Sequence, residues 1–96
     1  MHTVEANITT PDASRYLQQL CKHWSHKLAV TFTPTEGRVP FNDSAVCLMN
    51  ASPDALKLRV EAPTTEEATR LADVVWKHLE RFAFRAPLDA PDWRAA

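Results

Sequence analysis

Two stretches of helical period enclose a run of strand-like alternation, and this ordering narrows the folds open to the chain more than any other feature. Leu56, Leu58, Val60 and Ala62 alternate with Lys57, Arg59 and Glu61, the period-2 pattern of a strand with one buried face. Val4, Ala6 and Ile8 alternate with Glu5 and Asn7 in the same way. Leu28, Val30 and Phe32 predict a second strand, Val39 and Phe41 a short third one, and Ala45 to Asn50 a fourth. Turn chemistry separates them. Pro34-Thr35-Glu36-Gly37, Asn42-Asp43-Ser44 and Ser52-Pro53-Asp54 are all turn material, with Gly37 free to take a positive φ. Pro40 cannot donate to a strand ladder, which places its strand at an edge or a bulge.

The first helical stretch opens at Thr10-Pro11-Asp12. Threonine is a good N-cap, proline fits the first helical position, and aspartate suits the positive end of the dipole. Leu17, Leu20, Cys21, Trp24 and Leu28 then recur at helical spacing and predict about four amphipathic turns. The second helix opens at Pro63-Thr64-Thr65-Glu66-Glu67, where Thr64 and Glu67 have capping-box spacing. Ala68, Leu71, Val75, Leu79 and Phe82 form its stripe, and Pro87 is expected to end it.

The order β-α-β(3-4)-α, with the middle strands joined by short turns, predicts an α+β fold of two layers. An antiparallel sheet carries both helices on one face and leaves its other face partly open. The chain of 96 residues reads as a single α+β domain spanning 1–96, with 87–96 as a C-terminal tail anchored by Leu88 and Trp93.

Several function classes are excluded by what is missing. With one glycine, the chain lacks the Gly-rich loops of Rossmann and P-loop sites. No apolar run approaches the roughly 20 residues that span a bilayer, so no membrane partner is expected. The start MHTVEANITT lacks a basic segment and an apolar core, so no signal peptide is expected and the location is read as cytoplasmic. Cys21 and Cys47 fit no Cys-x-x-Cys pattern and are read as buried thiols. Net charge is −1, and the second helix opens on Thr-Thr-Glu-Glu where a phosphate-binding version needs Lys or Arg. No nucleic-acid partner is expected. No Gly-x-Ser-x-Gly elbow or His-Glu-x-x-His helix is present.

The remaining chemistry sits on the two helices. Projected at 100° per residue, His23 and His26 lie about 120° and 180° from the first core stripe, on the side of Tyr16, Gln19 and Lys27. His78 lies about 60° from the centre of the second stripe, and Arg81 and Arg85 follow it at i+3 and i+7. If His78 approaches His23 across the groove between the helices, then His23, His26 and His78 are candidate ligands for an iron or zinc ion. Arg81 and Arg85, with Lys77 and Arg70 nearby, are candidates for holding a carboxylate or phosphate, and Lys27 is a further ligand candidate. Trp76, Phe84 and Trp93 project to the margin and are candidates for a homodimer or ligand surface.

The motifs RYLQQLCKHWSHK (15–27) and HLERFAFR (78–85) resemble the bacterial family catalogued as domain of unknown function 2218, and the likeness runs from about Glu5 to Trp93. In the first helix the family pattern falls on Arg15, Tyr16, Leu20, Cys21, His23, Trp24, His26 and Lys27. In the second it falls on His78, Glu80, Arg81, Phe82 and Arg85, while Ala86-Pro87 stands where the family often has an acidic residue. The resemblance supplies no activity. Some members look like a domain appended to siderophore-interacting flavin reductases, which implies a link to iron handling or a siderophore-system partner.

Three readings follow. The first is a small non-enzymatic binding or accessory domain, tied to iron or siderophore metabolism through a small-molecule ligand at Tyr16, His23, His26, Lys27, His78, Arg81 and Arg85. The second is a metal-dependent or acid–base enzyme using His23, His26 and His78, with Glu80 as carboxylate although it projects about 140° from the core. The third is a homodimeric interaction module. The sequence leans away from an enzyme.

Overall fold

A computed structural model describes residues 1–96. Its elements are β1 (His2–Thr9), α1 (Ala13–Trp24), β2 (Thr31–Phe32), β3 (Glu36–Asn42), β4 (Ala45–Ala51), β5 (Ala55–Ala62), α2 (Thr65–Phe82) and β6 (Arg94–Ala95). All six strands join one antiparallel sheet in the order β2-β3-β4-β5-β1-β6. The fold is α+β, as the two periodicities predict.

Register shows why both helices take the same face. Ala6 stands opposite Leu58, Leu58 opposite Met49, and Met49 opposite Gly37. In the neighbouring row Val60 stands opposite Cys47, and Cys47 opposite Val39. All of these are buried, so alternation in four strands sums to one continuous apolar surface. α1 covers it over β3, β4 and β5, and α2 over β1 and β5. The helix-free face carries charge: Arg59 donates to Glu5 at 2.7 Å and to Glu61 at 2.9 Å. The Arg59 hydrogen bond holds the Glu5 carboxyl below the ordinary range.

Local chemistry modifies several sequence expectations. The Thr10 N–H is committed to Asp54 O at 3.0 Å, and Thr10 Oγ1 accepts from Asp12 N at 3.1 Å. A turn therefore precedes the helix, which starts at Ala13 with Asp12 as its N-cap. At the other end α1 stops at Trp24, twelve residues in all, rather than continuing to Leu28. Both Lys27 N and Leu28 N reach Trp24 O, at 3.0 and 2.9 Å, and close a turn. Leu28 keeps its helical spacing and half-buried place without being helical. The expected strand through Leu28 and Val30 shrinks to Thr31–Phe32, because only those residues pair with β3. Pro40 does flank a bulge, between Pro40 and Asn42.

Thr64 caps α2, its Oγ1 accepting from Glu67 N at 3.1 Å. The Glu67 carboxylate turns to Asn42 Nδ2 at 3.4 Å, so it does not complete the reciprocal half of the capping box. The helix ends at Phe82 with Ala83 as C-cap, ahead of Pro87. Beyond it the tail adds an unforeseen strand: Ala95 pairs with Val4 and Arg94 with Glu5. Leu88 and Trp93 pack on the core, as anchors of the tail should.

Gly37 is also not a turn residue. No glycine has positive φ, and Gly37 lies within β3 beneath α1. A β-carbon there would lie 2.8 Å from Cys21 Sγ and 3.4 Å from Leu17 Cδ2. The glycine is a contact point between helix and sheet. Cys21 and Cys47 are both free and buried, as expected, and burial pushes their thiols up to about 11 and about 12. Gly37→Ala is expected to destabilise the fold by about 1–3 kcal/mol through overpacking. In urea denaturation the Gly37→Ala/Cys21→Ala double variant should be more stable than Gly37→Ala alone, since removing Sγ vacates the space the methyl needs.

Candidate functional site

The buried arc of α1 is wider than its sheet-facing stripe. Leu17, Cys21 and Trp24 are buried, and so are Tyr16 and Leu20 on the neighbouring flank. Tyr16, read from the projection as an outward ligand candidate, is only 1% exposed, with the Arg15 guanidinium 5.0 Å from its ring centroid. It is a core residue. A side chain off the sheet-facing stripe need not face water where the buried arc of the helix is this wide.

One turn after that buried pair, His23 meets α2. Its ring centroid lies 5.1 Å from that of His78, with the planes tilted by 48°, and 6.1 Å from that of Phe82. Trp24 lies 5.0 Å from His78 on one side and 5.3 Å from Phe41 on the other. The last turn of α1, the second half of α2 and the end of β3 thus assemble a cluster of five rings. The His78 Nδ1 atom lies 2.7 Å from Val74 O. A carbonyl can only accept, so Nδ1 carries the proton and neutral His78 keeps a free lone pair on Nε2.

Positive groups act on His23. The His23 imidazole is pushed below its ordinary 6.5, first by partial desolvation and then by the charges of His78, His26, Lys27 and Arg81. His26 and Lys27 follow the end of α1 and are exposed, as is Arg81 on α2. Arg85 lies past α2 with its guanidinium over its own neighbour Phe84 at 5.5 Å. Glu80 is exposed, and neither His23 nor His78 has a carboxylate at salt-bridge distance. No group of three His, Cys, Asp or Glu side chains is placed to hold a metal ion, so His23, His26 and His78 do not form a three-ligand set.

Some members of this cluster were not singled out from the sequence. Phe82 and Trp24 were assigned to the core, yet both also wall the histidine pair. Gln19, four residues before His23, has a buried side-chain oxygen with no hydrogen-bond partner. The helix projection puts Gln19 on the side of His23 and gives it no role. Clefts lie elsewhere: one of about 390 Å³ on the outer β2–β3–β4 surface, one of about 350 Å³ between β1 and the tail, and one of about 220 Å³ between Trp76 and Trp93. None of the three is lined by a histidine or cysteine. The histidine pair is the better site because it alone brings two imidazoles from separate elements together.

Residues 5–94 match the family described as "Uncharacterized protein conserved in bacteria (DUF2218)". The chain belongs to this family. The DUF2218 domain is also similar to PA4090 from Pseudomonas aeruginosa, known from an NMR structure, with 33% identity over 98% of this chain and 96% of that one and a TM-score of 0.82. No curated protein matches it. No helix of the DUF2218 domain is long and apolar enough to cross a membrane.

Folding lowers the His23 pKa, so the unfolded chain binds more protons between the depressed value and 6.5. Stability from this group is complete above 6.5 and is lost as pH falls through the depressed value. Imidazole NMR should show His23 titrating below 6.5, with His78→Gln moving it upward. An unmoved midpoint would disprove the coupling.

Proposed function

We propose that this domain is a non-catalytic binding module of the bacterial cytoplasm that takes an anionic small molecule at the junction of α1 and α2. Its setting is iron or siderophore metabolism. The single observation that carries the reading is the meeting of His23 and His78 at 5.1 Å, with positive groups acting on His23. Such a site suits carboxylate, phenolate or catecholate oxygens, which accept charge-assisted hydrogen bonds from Lys27 and Arg81. Phe82 and Trp24 supply apolar ring surface on which a planar ligand can rest.

Binding is favoured over catalysis by the composition of the cluster. General acid–base work pairs an imidazole with a group that tunes or relays its proton. Here the one polar partner of His78 is a backbone carbonyl, and Glu80 is exposed and in no ion pair with either histidine. The iron setting rests on the family resemblance, through members appended to siderophore-interacting flavin reductases.

The test is a titration with 2,3-dihydroxybenzoate and with citrate, in EDTA so that metal is absent, followed by amide NMR and calorimetry. Shifts should centre on His23, Lys27 and Phe82, and rising salt should weaken binding. Replacing His23 and Arg81, both exposed, by alanine should lower affinity by at least about ten-fold with little change in Tm. Shifts confined to another surface, or none at millimolar ligand, would refute the reading.

A further inference from the structure

We propose that the histidine pair is a metal seat: His23 and His78 each give one imidazole nitrogen to a single divalent transition ion, whose other positions are filled by the chelator it arrives with. The inference rests on the binding reading above and names its ligand class, an anionic metal chelate with open coordination positions.

Ring geometry is the first support. Two imidazoles bound to one tetrahedral ion through metal–nitrogen bonds of about 2.0–2.1 Å have ring centroids about 5 Å apart. The two rings stand at 5.1 Å, and their 48° tilt is not that of a stack. The second support is the tautomer of His78. Metal-bound histidines characteristically donate their other ring N–H to a carbonyl or carboxylate, which fixes the ring and leaves one nitrogen for the metal. Nδ1 of His78 does this with Val74 O one turn back on the same helix, and Trp24 flanks the ring. His78 is thus oriented before any ion arrives. His23 is exposed, and the broad torsion at its ring lets it swing onto the ion.

Metal binding through one nitrogen leaves His23 with an N–H to satisfy. Gln19, four residues before it on α1, carries a buried side-chain oxygen without a partner, and residues four apart on a helix are neighbours. Cys21 and Cys47 are buried in the core, so the site offers imidazole rather than thiolate. Imidazole donors suit zinc, copper, nickel and iron.

The number of donors and the charge around them decide between a free ion and a chelate. With no third His, Cys, Asp or Glu in the group, two imidazoles leave two positions open on a tetrahedral ion and four on an octahedral one. Lys27 and Arg81 oppose a bare dication and favour one whose chelator makes the whole negative.

The experiment uses the full tag-free chain. Zn(II) alone, and then the Zn(II)–nitrilotriacetate anion, are titrated in a non-chelating buffer and followed by calorimetry and histidine ring NMR. One equivalent should bind, with the largest nitrogen shifts at His78 Nε2 and at one nitrogen of His23, and the anionic chelate should bind more tightly than the aqueous ion. His23→Gln, at an exposed position, should lower affinity by at least about ten-fold, whereas His26→Gln should change it less than about two-fold. His78→Gln should match His23→Gln; if it fails to fold, His23→Gln carries the test. No zinc binding at millimolar concentration, or undiminished affinity in His23→Gln, overturns the metal seat. Anion binding in EDTA with no zinc binding sinks the seat and leaves the binding module standing. Zinc binding with no anion binding in EDTA supports the seat and sinks the metal-free anion reading.

Discussion

A β-carbon on residue 37 would come within 2.8 Å of Cys21 Sγ, so α1 rests on the sheet at a depth that any other residue in β3 would obstruct. From that seat α1 presents Trp24 to Phe41, and its flank is carried against α2, where His23 meets His78. The contact is small, but it sets the height of one layer over the other. Raising α1 by a fraction of an ångström would loosen a core whose interior packs like a crystal and would separate the two imidazoles together. The fold and the site therefore share one constraint.

The sheet was legible wherever a strand is long and buries one face. Leu56 to Ala62 and Val4 to Ile8 alternate cleanly because α1 and α2 cover that face and water the other. Where pairing is brief, alternation carries no information: Arg94–Ala95 and Thr31–Phe32 are each too short to show a period. Leu28 illustrates a different limit. Its spacing continues that of α1, yet the backbone has already turned at Trp24, since spacing reports which side chains are buried and not which dihedrals bury them. Thr10 reads as a cap from local chemistry, but the first helical bond runs from Tyr16 N to Asp12 O, and Thr10 Oγ1 accepts from Asp12 N in the turn before it.

The site was legible in its parts and not in its assembly. Projection placed His23 and His78 on flanks of their helices, which is where they lie. Whether those flanks meet depends on how α1 and α2 sit side by side on the sheet, and no periodicity encodes that. Tyr16 shows the cost: the core buries a tyrosine that projection alone turns toward water. His26 was projected onto a helix that ends two residues earlier, so its angle had no meaning.

The sixth strand bears on mechanics. Ala95 pairs with Val4, and Ala96 N donates to Thr3 O at 3.0 Å, so both ends of the chain leave the same end of neighbouring antiparallel strands. A load applied between the termini falls on these bonds one after another, as on a zip, and not on all of them together in shear. β6 holds only two residue pairs, whereas β1 is held to β5 over eight. Tension would therefore peel the tail away and lift Trp93 from the core well before it drew β1 out of the sheet.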